Sequence, residues 1–288
     1  MTMKKWCLFL GAYFVLCLLA GCAGDGGSVP GEDPDPVTTE LAEYPTLSCR
    51  IVDGAEEGSL LLAELNGSGV YRVAVAEDTP VTLDGEPAQA ADLEDGMPVS
   101  IQFDGSVQET YPARLGDVYG ISAWSLGTEQ NPGGGYYDLC GLYLQVLEDL
   151  WEADSGLNGG VEVIGLDLSE APGGLTESEK AAVAWRFGEL RGVPVVTGTY
   201  EDFAADGSIT GTPLEGTDAE FMEWEDGVLF SITANEDHAD EIYSLPVLFF
   251  NAGKWRTSLG AYFFCDCSCL WPEFDAWTEY AVGAEMIS

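Results

Sequence analysis

The chain has 288 residues, with 50 acidic side chains against 10 basic ones and a formal charge of −40 at neutral pH. A polyanion of this kind repels nucleic acid and anionic lipid head groups, which bind through cationic surfaces, and leaves cations, cationic peptides and neutral glycans as partners. At 46% hydrophobic and 11% aromatic it carries the material for a packed core and is not a disordered acidic tail.

The first segment places Lys4 and Lys5 ahead of an apolar run from Trp6 to Leu19, closed by Leu19-Ala20-Gly21-Cys22. A charged start, a short apolar stretch and small residues before a cut describe a secretory leader, too short for a membrane span. The four closing residues resemble the lipobox of bacterial lipoproteins at every position. That resemblance implies that the Cys22 thiol receives a diacylglyceryl group and that residues 1–21 are removed, leaving Cys22 as the first mature residue. Two acyl chains anchor stably where one gives only reversible attachment. Loss of Lys4 and Lys5 deepens the formal charge to −42 over the 267 mature residues, so the lipid, and not electrostatics, holds the body at the membrane.

Residues 22–43 contain Gly26-Gly27-Ser28, Pro30, Pro34 and Pro36 with several acids and no apolar period, which reads as a tether. From Tyr44 the pattern becomes short strand-like runs: Leu47–Val52, Ser59–Glu64, Val70–Val75, Pro80–Leu83, Pro98–Phe103 and Val118–Trp124. Asp84-Gly85 and Asp104-Gly105 follow such runs and predict hairpin turns, since glycine supplies the positive φ they require. Ala91 to Gly96 predicts a single helical turn, and Glu109 to Ala113 closes the unit. The spacing suits a small closed barrel of five or six strands over residues 44–124. The runs DLEDGMPVSIQFDG and ETYPARL, within that quarter of the chain, resemble an OB-like β-barrel module of uncharacterised Gram-positive lipoproteins. The resemblance implies a location more than a chemistry. OB folds often bind oligonucleotides, but this segment has only Arg50, Arg72 and Arg114 as cations, so no nucleic-acid partner is expected.

Residues 125–135, with Asn131-Pro132-Gly133-Gly134-Gly135, form a linker to a second domain over 136–288. Leu139, Leu142, Tyr143, Val146, Leu147, Leu150 and Trp151 recur at helical spacing. Val161–Leu168 reads as a strand. Thr176 and Glu179 have capping-box spacing ahead of Val183, Phe187 and Leu190, and Gly192 and Pro194 stop that helix before a strand at Val193–Thr197. The remainder is strand-like: Gly227–Thr233, Ile242–Phe250, Leu259–Cys267 and Trp277–Gly283. The expected class is therefore α+β: a small OB-like barrel, then a domain whose antiparallel sheet is covered by helices on one face. The closing blocks KWRTSLGAYFF and WTEYAVGAEMIS resemble the tail of uncharacterised exported bacterial proteins, a resemblance that carries no activity.

Eight cysteines fall to five unlipidated thiols once Cys7 and Cys17 leave with the leader and Cys22 is acylated. An odd number leaves at least one thiol outside any internal disulfide framework. Cys265, Cys267 and Cys269 are soft-metal ligands by type. On a strand they share a face with Ala261 and Phe263, which marks a core row, and their sulfurs would sit about 7 Å apart along it, awkward for one tetrahedral ion. Buried small residues are the favoured reading, with Cys49 or Cys140 the better partner if a bridge forms. His238, the lone histidine, lies in the acidic run Asn235 to Glu241 and reads as solvated; the same loop departs from the EF-hand order of calcium ligands. Lys254 and Arg256, two apart on a strand, project from one face and can cradle an anionic group, in competition with ion pairs to nearby carboxylates.

No Gly-X-Ser-X-Gly elbow, Walker loop, dinucleotide fingerprint or His-Glu-X-X-His occurs, and no cofactor is implied. The sequence thus predicts a lipid-anchored, extracytoplasmic binding or interaction protein, with an envelope protein, peptide or glycan as partner. The competing reading is a cell-envelope hydrolase using carboxylates of the second domain.

Overall fold

Residues 44–125, 138–238, 247–270 and 280–288 are described by the computed structural model. The lipobox with Cys22, the tether, residues 126–135 of the linker, residues 239–246 with the start of the expected strand Ile242–Phe250, and residues 271–279 with the start of the expected strand Trp277–Gly283 lie outside them. Residues Glu43–Ser288 form one compact unit.

Nine strands come first: β1 (Thr46–Asp53), β2 (Ser59–Glu64), β3 (Val70–Ala74), β4 (Val81–Leu83), β5 (Glu86–Ala88), β6 (Pro98–Phe103), β7 (Val107–Gln108), β8 (Ala113–Leu115) and β9 (Val118–Ala123). The six expected runs are all present, and Asp84-Gly85 makes the expected two-residue turn between β4 and β5, both residues at positive φ. The helical turn is a 3₁₀ turn at Ala90–Asp92. Three expectations are corrected. Gly105 turns the chain at φ 86°, but the strand after it, β7, pairs with β8 and not with β6. The sheet also does not close into a barrel. Its order is β5-β4-β9-β6-β1-β2-β3-β8-β7, because parallel pairings of β8 with β3 and of β4 with β9 extend it at both ends. Residues 109–113 lead into β8 and do not close the unit.

Leu60 to Ala63 on β2 are all fully buried, which alternation alone would not give. The strand is covered on both sides, the condition under which strands read as continuous apolar runs. Leu60 and Leu62 join Cys49, Ile51, Val73, Val99 and Ile101 in the first sheet's own core. Leu61 and Ala63 face the other way, with Val52 and Val70, into a core shared with helices.

Those helices are α1 (Leu139–Glu152) and α2 (Glu177–Arg191). Both match the expected periodicity, and α2 has the predicted Thr176–Glu179 capping box and a left-handed Gly192 cap. Leu190 is the exception, being exposed. On α2, Glu179, Arg186 and Glu189 pair with Arg50, Asp53 and Arg72 of the first sheet at 2.6, 2.8 and 2.8 Å. The same helix buries Val183 and Phe187 beneath the second sheet.

The second sheet contains β10 (Val163–Asp167), β11 (Val195–Thr197), β12 (Thr210–Pro213), β13 (Glu220–Glu223), β14 (Gly227–Ala234), β15 (Val247–Thr257), β16 (Gly260–Leu270), β17 (Tyr280–Ala281) and β18 (Ala284–Ile287), with a short helix α3 (Tyr200–Ala205) after β11. The fold is α+β, as expected, but this sheet is mixed and not purely antiparallel. β10 runs parallel to both β11 and β14, since α2 carries the chain back across the sheet between β10 and β11. Helices also occupy both faces: α3 contributes Phe203 to a second small cluster with Ile209, Trp224 and Leu229. Among the described residues no helix is long and apolar enough to cross a membrane.

Candidate functional site

Parallel strands point their carboxyl ends at one rim, where the chain must leave the sheet and open a crevice. Here Asp167 ends β10, Thr197 ends β11, and the first turn of α2 and the start of α3 complete a cavity of about 390 Å³. Its polar groups are fixed locally. The Asp167 carboxylate accepts from the Ser169 amide at 2.9 Å and from its hydroxyl at 2.6 Å. Asp202 accepts from the amide and hydroxyl of Thr199 at 2.9 and 2.8 Å, and those hydrogen bonds hold its carboxyl below the usual range. Lys180 reaches Glu177 at 2.9 Å. Three carboxylates against one ammonium give the crevice a negative balance.

Ala181 and Thr197 also line a second, larger groove of about 800 Å³. It runs between α2 and β11, walled by Trp185, Val195, Val196 and Tyr111. Tyr111, 64% exposed, comes from the first sheet's 109–113 segment. Trp185 is held by the Arg72 guanidinium 4.8 Å above its ring. The cleft is thus polar and acidic at one end and apolar along the other.

No family model, curated protein or solved structure matches the chain.

Lys254 and Arg256 do share a face, as predicted, but they turn toward protein. The Lys254 side chain has no solvent exposure. Its amine donates to the carbonyls of Trp151 and Asp154 at 3.2 Å, to the Asn158 side-chain oxygen at 3.3 Å and to the Ala153 carbonyl. Arg256 donates to Leu157, Gly159 and Glu225 carbonyls at 2.9, 2.6 and 2.6 Å. Together they satisfy the carbonyl-rich end of α1 and its following loop, a region without basic residues of its own in the last helical turn. Apart from the Asn158 side-chain oxygen, the partners are main-chain carbonyls where the sequence suggested carboxylates. Burial lowers the Lys254 ammonium to about 8, opposed by the nearby Asp154 and Glu152.

The cysteine row is corrected in phase. Phe250 pairs with Cys267 but Ala252 with Phe264, so Cys265 and Asp266 oppose Asn251 alone in a β-bulge, with Asp266 at φ 51°. The bulge puts Cys267 and Cys269 into the core with Tyr262 and Phe264, and leaves Cys265 half-buried outside it. Burial pushes Cys267 and Cys269 up to about 12, and Cys49 likewise. None of the five thiols is in a disulfide, and Cys49 and Cys140 are buried. Among the described residues no three His, Cys, Asp or Glu converge as a metal site. His238 stacks on Phe249 with ring centroids 4.1 Å apart, so its ring is packed on one face where solvation was expected.

The crevice itself escapes a reading that looks for catalytic motifs. Its signal lies in the strand, capped helix, strand order from Val163 to Thr197, which predicts a parallel pair and hence a rim. Thr199 and Asp202 form another capping box directly after β11.

Proposed function

We propose that the protein is a lipid-anchored binding protein of the extracytoplasmic face, tethered through residues 22–43 from an acylated Cys22, with its ligand site in the crevice at the carboxyl ends of β10 and β11. The observation that carries this reading is how the crevice acids are held. Asp167 and Asp202 are bound to neighbouring Ser169 and Thr199, and Glu177 to Lys180. An acid–base pair for hydrolysis needs carboxyls pushed to different pKa values within one cleft. The carboxyls that burial raises, Asp53, Asp95 and Asp138, line neither the crevice nor the groove. This favours binding over the hydrolase alternative.

The first sheet, whose sequence resembles an OB-like module, serves in this reading as a platform. Two of its three arginines, Arg50 and Arg72, pair with α2, so they do not form a nucleic-acid path. Two measurements test the proposal. Cys22→Ala moves the protein out of the membrane fraction; retention there would refute the anchor. The released chain, screened against cell-wall glycan fragments, peptides and small polar metabolites, retains at least one class, and Ser169→Tyr, which fills the crevice, abolishes retention. Retention of nothing, or retention indifferent to Ser169→Tyr, would refute the site.

A further inference from the structure

β11 is the last strand on its side of the second sheet. Ile164 donates its amide to the Pro194 carbonyl and Gly198 donates to the Leu166 carbonyl, so residues 194, 196 and 198 face β10. By alternation Val195 and Thr197 turn their amides and carbonyls outward, where no described strand pairs with them. An edge of this kind is a template for another strand. Beside it lies the apolar groove. Ala181, Ala184 and Gly188 of α2 keep its floor low, and a Cβ on Gly188 would come within 3.1 Å of the Val195 side chain. Trp185 and the exposed Tyr111 flank it as aromatic anchors of the type that dominates peptide interfaces. At its far end the groove opens on Asp167, Glu177 and Asp202, with Lys180 already paired to Glu177.

We infer that this edge and groove take an extended, basic peptide segment of an exported partner, added to the sheet as a strand beside β11, with its cationic group in the acidic crevice. The inference rests on the crevice being a binding site and names what binds there. Strand addition draws affinity from main-chain hydrogen bonds and specificity from alternate side chains. Val195 and Thr197 supply two outward donors and two acceptors. Alternate peptide side chains lie over Trp185 and Tyr111. The formal charge of −42 and the local excess of carboxylates select a basic segment over an acidic one. The shortness of β11, three residues, limits the contact to one short segment and discourages open-ended pairing.

The test uses the full mature chain released by Cys22→Ala and a positional library of hexapeptides labelled at the carboxyl end, read by fluorescence polarisation. The expected result is selection of Lys or Arg at one position and apolar residues at alternate ones. For the best peptide, N-methylation of alternate amides in one phase weakens binding at least tenfold, and in the other phase leaves it within threefold. Val195→Pro removes one outward donor without touching the β10 pairing and weakens binding at least tenfold; the N-methyl series needs no altered protein. Absence of any selected peptide, selection of acidic residues, or indifference to N-methylation in both phases would overturn the inference. Should peptides fail while a glycan or metabolite is still retained in a Ser169→Tyr-sensitive way, the peptide inference falls and the crevice reading stands. Retention of nothing at all sinks both.

Discussion

Asp138, the N-cap of α1, gives the most direct check on how the two sheets are joined. Its carboxylate accepts the Gly141 amide at 2.8 Å. Burial pushes this carboxyl up to about 6; the Gly141 hydrogen bond and Arg50 pull it down, and Asp95 and Asp53 push it further up. A folded-state pKa above the unfolded one means the folded protein holds the proton more tightly. The resulting stabilisation is complete below about pH 4 and is lost as pH rises through 6. A rise of roughly two pKa units corresponds to about 3 kcal/mol at neutral pH. The favourable placement of a negative charge at a helix start returns about 0.5–1 kcal/mol of that. Asn caps a helix as well as Asp, so Asp138→Asn removes the buried charge and keeps the cap. Urea unfolding of the Cys22→Ala chain at pH 7.5 should therefore show the Asn variant more stable by about 2 kcal/mol. At pH 4.5, where the unfolded carboxyl is still mostly ionised and the folded one is protonated, the gap should fall to about 1 kcal/mol, with the m-value unchanged. A variant less stable at pH 7.5, or a gap equal at both pH values, would refute burial as the cause.

Lys254→Met leaves the Trp151, Ala153 and Asp154 carbonyls without their shared donor and should cost about 2–4 kcal/mol in urea unfolding; a loss under 1 kcal/mol would show that the lysine is not the cap described. Iodoacetamide should modify Cys265 well before Cys49, Cys140, Cys267 or Cys269, read by peptide mass mapping. Equal labelling of Cys265 and Cys267 would remove the bulge. Above pH 9 the raised thiols of Cys49, Cys267 and Cys269 stabilise the fold less and less, because unfolded thiols ionise first, whereas the lowered Lys254 works the other way between about 8 and 10.5. With the fully buried Cys140 thiol raised as well, four thiols against one amine predict a stability that falls as pH rises from 9 to 10.5. A flat or rising profile there would contradict their burial.

The strands of the first sheet were legible because Asp-Gly turns and alternation are local signals, and the two long helices because period and caps agree. Closure was not legible. Whether β3 meets β8 depends on a parallel pairing between residues 42 apart, Tyr71 with Ala113, that no local pattern marks. The phase of the cysteine row failed for a related reason: Asp266 takes positive φ although it is not glycine, held by its amide bonding to the Asn251 side chain at 3.0 Å. Alternation counted straight through that residue assigns Cys265 to the wrong face. For Lys254 and Arg256 the shared face was right and its occupant was not, since the carbonyls they meet, except that of Glu225, lie about a hundred residues earlier. The candidate site was hidden differently. Its residues, Asp167, Ser169, Thr199 and Asp202, look like ordinary turn and cap residues, and become a crevice only when two parallel strands end side by side.

The distribution of positive charge ties these parts together. Only eight of the ten cations lie beyond residue 21. Arg50, Arg72 and Arg186 clamp α2 to the first sheet or brace Glu189, Arg191 joins α2 to Glu148 and Glu152 of α1, and Lys180 pairs with Glu177. Lys254 and Arg256 hold the end of α1. Only Arg114, exposed on β8, is left outside these contacts. A protein that commits seven of eight cations to its own framework has almost none with which to present a basic surface, and its field outside is that of its acids. The framework they build is centred on α2, which is fastened by ion pairs on one side, packed on the second sheet by Val183 and Phe187, and used at its first turn as a crevice wall. A ligand site on an element fixed from two directions changes little on binding, so little ordering cost is charged against a short ligand's few contacts. Rigid placement and uncompensated acidity at one rim are what an extended basic segment needs, and an anionic ligand would meet neither a free cation nor a neutral approach.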